Sequence, residues 1–456
     1  MSMKGNKVRI ALVNPPLLPE VFRHPLSLPL GIAYLAAVLE NDEHEVKVVD
    51  CPPLSMNHDR LKREIASFEP DIVGITSVAV TFPSALQAAH IAKETCPQAL
   101  VVLGGPHATF MDISTLNECA DVDVVVRGEG EKTILELAHC TFRDEKVHNV
   151  AGITFKKNGK IVRTPDRLFI QNLDELPYPA LHLFPLEKYR FFGKKILPII
   201  TSRGCPFQCP WCVTSRMVGR KFRARSPKSV VDELEILKNI YRADAICFYD
   251  DAFTLDKKRA HEIFDEMLKR KIDIPWDCQA RADQVSRELL NKMHEAGCQF
   301  ISFGVESGSP QLLKTMSKGT TVEQNENAVK WAKEAGLLVA TSLILGYPGE
   351  TIETLKQTLD FIWRVKPDIV YLCMATPYPG TRLYELVNNL GWKMSEDWSR
   401  YDTVQPVLEN PSLPTDYLKE VRKEFYNKFF SPLYTLRHSC KNTFYGRIIA
   451  RIARAS

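Results

Sequence analysis

Three cysteines stand close together in Cys205-Pro206-Phe207-Gln208-Cys209-Pro210-Trp211-Cys212, a C-x3-C-x2-C spacing. Three thiolates on one short loop can each bind one iron of a cubane cluster, which leaves the fourth iron without a cysteine. A structural zinc site needs a fourth closing ligand, and no further Cys or His in the loop supplies one. Three free core cysteines are the alternative, but buried thiols have no reason to gather in a polar loop stiffened by two prolines. An iron–sulfur cluster with one open iron is the reading that fits. The apolar run Ile196-Leu197-Pro198-Ile199-Ile200 and the turn Thr201-Ser202-Arg203-Gly204 precede the loop, so it should leave the carboxyl end of a strand.

With a strand in front of it, this motif resembles the signature of radical S-adenosylmethionine enzymes. The resemblance implies that Cys205, Cys209 and Cys212 ligate a [4Fe–4S] cluster. It also implies that the open iron chelates the amino and carboxylate groups of S-adenosylmethionine, with Trp211 near the adenine.

Such a loop needs a scaffold. Strand candidates recur at Ile196–Ser202, Ala245–Asp250, Pro275–Arg281, Phe300–Glu306, Val339–Leu345 and Ile369–Met374, with helical spacing in Val230–Tyr241, Lys257–Lys269, Arg287–Ala296, Thr321–Ala335 and Thr351–Val365. Six βα units are too few for a closed eight-stranded barrel and suit the partial (β/α)6 barrel of that family. Barrel chemistry lies at the carboxyl ends of the strands, and polar residues fall there. By the resemblance, Asp250 first and Asp251 second hold the cofactor's ammonium, although a double Asp at a strand end also suits a helix N-cap. Arg281 would hold its carboxylate, and Glu306 would face the ribose or the amino-acid end. The turns Gly346–Glu350 and Pro377–Thr381 would supply shape.

Residues 1–145 alternate strand and helix signals: Val8–Val13, a helix at Leu30–Leu39, then Val46–Asp50, Ile72–Ser77, Leu100–Gly105 and Val122–Val126. This predicts an α/β, doubly wound, Rossmann-like parallel sheet. Its ligand should sit beyond the carboxyl ends of the strands, where Thr76-Ser77, Gly104-Gly105-Pro106-His107 and Gly128-Glu129-Gly130 lie. Together with Asn14-Pro15-Pro16, these turns resemble the cobalamin-binding domain in front of one class of radical S-adenosylmethionine enzymes. The resemblance implies that Thr76, Ser77, Gly104, Gly105, Pro106, Gly128 and Glu129 line the nucleotide-tail pocket. The loop Val78–Phe82, beginning with Val78, would face the corrin. The Asp-x-His-x-x-Gly motif that supplies an axial histidine elsewhere is absent. His44, in Asp42-Glu43-His44, is expected on the surface, and cobalamin is expected base-off without a histidine ligand.

Residues 146–195 read as a hairpin around Asn158-Gly159 and a proline-bearing linker, with the barrel at 196–385 and a further region at 386–456. Leu433–Ser456 carries Arg437, Lys441, Arg447, Arg451 and Arg454 and no acid. A helix at Phe444–Ala453 would be amphipathic and basic. It would lie on an anionic membrane or acidic partner, or dock on its own domain.

Composition narrows the class. The 456 residues are 45% hydrophobic and 25% charged, as in ordinary globular proteins. A net charge of +4 is too small over this length to imply nucleic acid. Twelve cysteines, mostly scattered, suit a reducing compartment better than a disulfide framework. The opening residues lack a signal-peptide core, and no apolar run reaches spanning length. These features predict a cytoplasmic protein.

The expected function is a cobalamin-dependent radical S-adenosylmethionine methyltransferase acting on an unactivated carbon, reduced by a flavodoxin- or ferredoxin-type protein. Its substrate could be a small molecule, a lipid or a protein side chain. A radical cyclase or rearrangement enzyme with the same cofactors is the near alternative. A methylthiotransferase would want a second cysteine cluster, and Cys51, Cys96, Cys119 and Cys140 are dispersed. A non-catalytic cofactor-binding module would not need the carboxylates and Arg at the strand ends.

Overall fold

The computed structural model describes residues 7–18, 27–140, 145–431, 434 and 443–455. The first sheet contains β1 (Arg9–Asn14), β2 (Glu45–Asp50), β3 (Ile72–Thr76), β4 (Leu100–Gly104), β5 (Val124–Val126), β6 (Ile153–Lys157) and β7 (Lys160–Arg163). Their order is β2-β1-β3-β4-β5-β6-β7. The first five are parallel and the last two antiparallel. Strands covered on both faces must be apolar on both, and β4 shows why. Leu100 and Val102 enter a core with Leu30–Asn41, while Val101 and Leu103 enter another with Leu61, Ile65, Ala85 and Ala89. Strand order reverses between β1 and β3, the switch point at which doubly wound sheets bind ligands.

The hairpin expected between the domains is part of this sheet. β6 pairs with β5, so the exposed edge of a very short strand is covered by main-chain hydrogen bonds rather than left open.

In the second half, β8 (Ile196–Ile199) is followed by β9 (Ser202-Arg203), which pairs antiparallel with β10 (Arg223-Ala224). Then come β11 (Ala245–Phe248), β12 (Trp276–Arg281), β13 (Cys298–Glu306), β14 (Leu338–Leu345) and β15 (Ile369–Met374). The sheet order β15-β14-β13-β12-β11-β8 is wholly parallel, the six-stranded arrangement expected. The intervening helices start where short polar side chains satisfy free backbone N–H groups: Ser226, Asp256, Ser286, Thr321 and Thr351 each accept at an N-cap. Such a cap contributes about 1 kcal/mol. Trp276 stacks on Phe264 of the helix Lys257–Lys269, with ring centres 5.6 Å apart. Alternation along β12 then turns Asp277, Gln279 and Arg281 to the interior.

One expectation changes, and one left open is decided. His44 is buried rather than on the surface: its Nδ1 accepts from Val8 N at 3.4 Å, and its Nε2 lies 3.2 Å from Asp42, which also contacts His139 at 2.6 Å. The ring fills the space where β1 and β2 begin, at the amino edge of the sheet, away from the strand ends expected to bind cofactor. The second concerns the helix Phe444–Ala455, which docks on the barrel floor with Phe444, Tyr445, Ile448 and Ile449 buried. Tyr445 donates to Asp277 and stacks on Phe300 at 5.7 Å. Leu433, Arg437, Lys441 and Ser456, the side chains of Arg451 and Arg454, and the opening residues 1–6 lie outside the described residues. Among those described, no helix is long and apolar enough to cross a membrane.

Candidate active site

The cysteine loop rises from the end of β8. Gly204 takes φ +91°, and a Cβ there would strike the Lys221 carbonyl oxygen, so only glycine lets the two segments cross. Cys205 N donates to Gly219 O (3.1 Å) and Cys212 N to Cys209 O (3.0 Å), folding the loop on itself. All three cysteines are free thiols, with Cys212 exposed and the other two half-buried. Burial pushes the Cys205 thiol up to about 11. Burial also raises Cys209, opposed by the charges of Lys318 and Arg281. Such thiols stay protonated at neutral pH unless a metal takes them, and coordination deprotonates a thiol outright. Three thiols on one loop, with no fourth, fit a cubane with one open iron.

The two aspartates after β11 have different surroundings. Asp250 is buried and accepts from Thr201 N (3.2 and 3.1 Å), Thr201 Oγ1 (2.8 Å) and Ser202 Oγ. Its oxygens are occupied in holding the turn that enters the cysteine loop. Asp251 is exposed and accepts one bond, from Thr214 Oγ1 at 3.0 Å. Its second oxygen has no protein partner among the described residues. The preference for Asp250 over Asp251 as a ligand-facing carboxylate is therefore reversed by this geometry.

Arg281 is also heavily engaged. Its Nε and Nη2 donate to Asp283 (3.0 Å each), Nη2 donates to Lys318 O (2.9 Å), and Nη1 lies 3.5 Å from Cys209 Sγ. The guanidinium sits 3.6 Å over the Phe207 ring. It clamps the cysteine loop to the end of β12, leaving little of it for a carboxylate. Glu306, in the left-handed region at φ +65°, pairs with Lys318 at 2.6 Å in a buried contact. Lys318 escaped the sequence reading because a single Lys in a Ser-Lys-Gly turn resembles surface. The available signal was Gly304, where a Cβ would lie 2.5 Å from Glu306 Oε1 and 2.8 Å from Lys318 Nζ. Trp211 packs edge-on to Tyr347, with centres 6.1 Å apart.

At the carboxyl edge of the first sheet, Thr76, Ser77, Gly104, Gly105 and Pro106 gather at the ends of β3 and β4. Ser77 is consumed internally, its N and Oγ both donating to Gly104 O at 2.9 and 3.2 Å. Thr76 Oγ1 has no hydrogen-bond partner among the described residues. Val78 is 44% exposed on the same edge, an unusually open apolar side chain. No protein atom comes closer than 3.9 Å to a Cβ built on Gly104. A free hydroxyl, a half-exposed valine and an uncrowded glycine fit a large, partly apolar ligand such as cobalamin. Glu129 does not join them. It is buried against Arg203 (3.2 Å), Arg223 (3.1 and 2.9 Å) and Ile170 N (2.8 Å), tying the first sheet to the β9–β10 pair. A buried carboxylate must be paired, and its partners are two arginines distant in sequence.

The two sets of strand ends face each other. A Cβ on Gly380, in the turn after β15, would strike the ring of Phe110, just beyond β4. Trp398 packs edge-on to His107 with centres 4.7 Å apart, and Gly128 lies against Met217.

Residues 199–362 match the model of the radical SAM superfamily, and residues 25–138 match that of the B12 binding domain. An uncharacterized methyltransferase of Pyrococcus horikoshii is 38% identical over 427 residues, covering 93% of this chain and 92% of that one. The anaerobic magnesium-protoporphyrin IX monomethyl ester cyclase of Rubrivivax gelatinosus is 31% identical over 412 residues, covering 88% and 73%. The structure of the radical S-adenosylmethionine methyltransferase TsrM from Kitasatospora setae, with cobalamin and [4Fe–4S] cluster bound, superposes with TM-score 0.76 at 18% identity, covering 98% and 99%. With both models matched in series and close identity across nearly the whole chain, this protein belongs to the cobalamin-binding radical S-adenosylmethionine enzymes, methyltransferase-like, whose cofactors are a [4Fe–4S] cluster, S-adenosylmethionine and cobalamin.

Proposed function

We propose that this enzyme transfers a methyl group to an unactivated carbon. The observation that carries the reading is the apposition of the two strand-end edges, one holding three thiols and the other a cavity edge suited to cobalamin. When bound, the cluster with S-adenosylmethionine supplies a carbon radical able to take a hydrogen atom, and cobalamin supplies a transferable methyl group. The chain's own part is placement and exclusion of water. Cys205, Cys209 and Cys212 would hold the cluster, with Arg281 fixing the loop from behind. Asp251 would receive the ammonium of S-adenosylmethionine, and Trp211 with Tyr347 would border its adenine. The Glu306–Lys318 pair would face its ribose or amino-acid end. Thr76, Val78, Gly104, Gly105, Pro106 and Gly128 would border cobalamin, with Val78 offering the corrin no ligand atom. Compartment and substrate belong to the same proposal: a reducing cytoplasm and a substrate taken between the two edges.

Candidate host metabolites incubated anaerobically with the loaded enzyme and S-adenosylmethionine should form 5′-deoxyadenosine and a product heavier by one CH2. A second reading, cyclisation without methyl transfer, is favoured by the identity to the Rubrivivax gelatinosus cyclase. A product that forms with 5′-deoxyadenosine but gains no carbon would establish that reading instead.

A further inference from the structure

The cysteine loop carries one exposed polar residue between its first two thiols, Gln208. Its Oε1 accepts from two guanidinium groups on separate elements: Arg220, after the helix Thr214–Met217, and Arg382, at the start of the helix Arg382–Asn389. Lys221 stands beside them, exposed, donating to Gln171 at 3.3 Å. None of these three cations is in an ion pair among the described residues. Neighbouring Arg216, by contrast, is matched by Glu385 at 2.6 Å. Glu385 also feels Arg382, but its pKa is held down by its bond to Arg216 first. Like charges drawn onto one carbonyl oxygen repel, and no described carboxylate forms an ion pair with either. Such a focus of positive potential on the surface attracts an anionic partner and speeds its encounter.

We propose that Arg220 and Arg382, drawn onto Gln208, with Lys221 next to Arg220 in the chain, form the docking surface for an acidic flavodoxin- or ferredoxin-type protein that reduces the cluster. The inference rests on the cysteine loop holding that cluster. Cys212 is the exposed thiol of the loop, so a donor seated on this rim has only the loop between its redox centre and the iron. One electron leaves the donor and enters the cluster; no proton moves and no bond forms. A docking rim made of exposed cations acts mainly on association rate, and its effect should fade as salt shortens the screening length to ~8 Å at physiological strength.

The test uses cluster-loaded full-length protein and an acidic flavodoxin, with affinity measured at low and physiological salt. Arg220→Glu combined with Arg382→Glu should weaken binding tenfold or more at low salt and less at high salt. Its iron content and its reduction by dithionite, followed by electron resonance, should match the unaltered protein. Arg9→Glu, at the far amino edge of the first sheet, should bind as the unaltered protein does. Unchanged affinity in the double variant would overturn the proposal, as would an equal loss in Arg9→Glu. So would a duplex DNA probe bound with the same charge dependence. If the double variant loses iron, Lys221→Glu decides instead, since its side chain does not touch the loop, and undiminished flavodoxin binding there overturns the proposal. Absence of any cluster in the unaltered protein would defeat the underlying reading of the loop, a result distinct from a loaded protein that binds flavodoxin elsewhere.

Discussion

Glu350 closes the turn after β14 with no exposed surface. One carboxyl oxygen accepts from Gly346 N at 2.5 Å and the other has no partner among the described residues. Burial lifts its pKa from 4.5 to about 8. The folded chain thus keeps a proton that the unfolded chain releases, so this group's contribution to stability falls as pH rises from about 4.5 to about 8 and then levels. At neutral pH that costs on the order of 3 kcal/mol. Glu350→Gln, nearly the shape of the protonated acid, should raise the melting midpoint at pH 7 and flatten its decline between pH 5 and 8. A decline as steep as in the unaltered protein would refute the assignment. At the other strand end, Asp251→Asn should weaken S-adenosylmethionine binding about tenfold or more with the cluster retained, as expected for one charged hydrogen bond worth ~1.5–3 kcal/mol. Asp250→Asn should instead lower stability and iron loading. Calorimetry against iron content separates the two, and equal effects would undo the distinction. The sequence held both aspartates, and the resemblance ranked Asp250 ahead of Asp251. Neighbouring residues at a strand end point opposite ways, and only the turn Thr201-Ser202 decides which one is buried.

At the scale of elements, the turn after β4 gives the sharpest contrast. Gly105 has φ +94° and ψ 176°, a region open essentially to glycine, and a Cβ there would lie 2.5 Å from Ser77 O. Gly104 has room for a methyl group. Gly105→Ala should therefore lose cobalamin occupancy and on the order of 1–3 kcal/mol of stability, whereas Gly104→Ala should unfold normally. Equal unfolding midpoints in the two variants would show that the strain is absent. The strands themselves were legible, because burial on both faces writes β3, β4 and β5 largely as Val, Ile and Leu. Asn158-Gly159 also announced its hairpin. What it could not announce was the edge the hairpin joins, since pairing with β5 depends on that strand's exposed main chain and not on any side-chain pattern. The same limit hid Glu129: its turn matched a cofactor loop, but its partners Arg203 and Arg223 are assembled only when the two sheets meet.

At the scale of the molecule, the terminal helix belongs to the fold. Tyr445 and Cys247 both donate to the buried carboxylate of Asp277, whose pKa burial raises to about 6. Removing the residues from Phe444 onward should lower the melting midpoint and the yield of cluster-loaded protein. Tyr445→Phe should cost about 1–3 kcal/mol, the penalty for a lost partner at a buried group. A truncated chain that melts unchanged would return the helix to the role of a membrane or partner contact.

Residues that close this structure are synthesised after the residues they cover. Tyr445 reaches back to Ile246 and Asp277, and Trp398 to His107. Until Tyr445 and Trp398 have left the ribosome, Asp277 lacks its tyrosine partner and His107 its covering indole, although the thiol loop is already outside. The order of translation should therefore set the order in which the barrel floor and the edge of the first domain close. Ribosome-stalled chains should show this directly: β11 and β12 should resist protease only once Tyr445 has emerged, and protection in chains stalled earlier would contradict it.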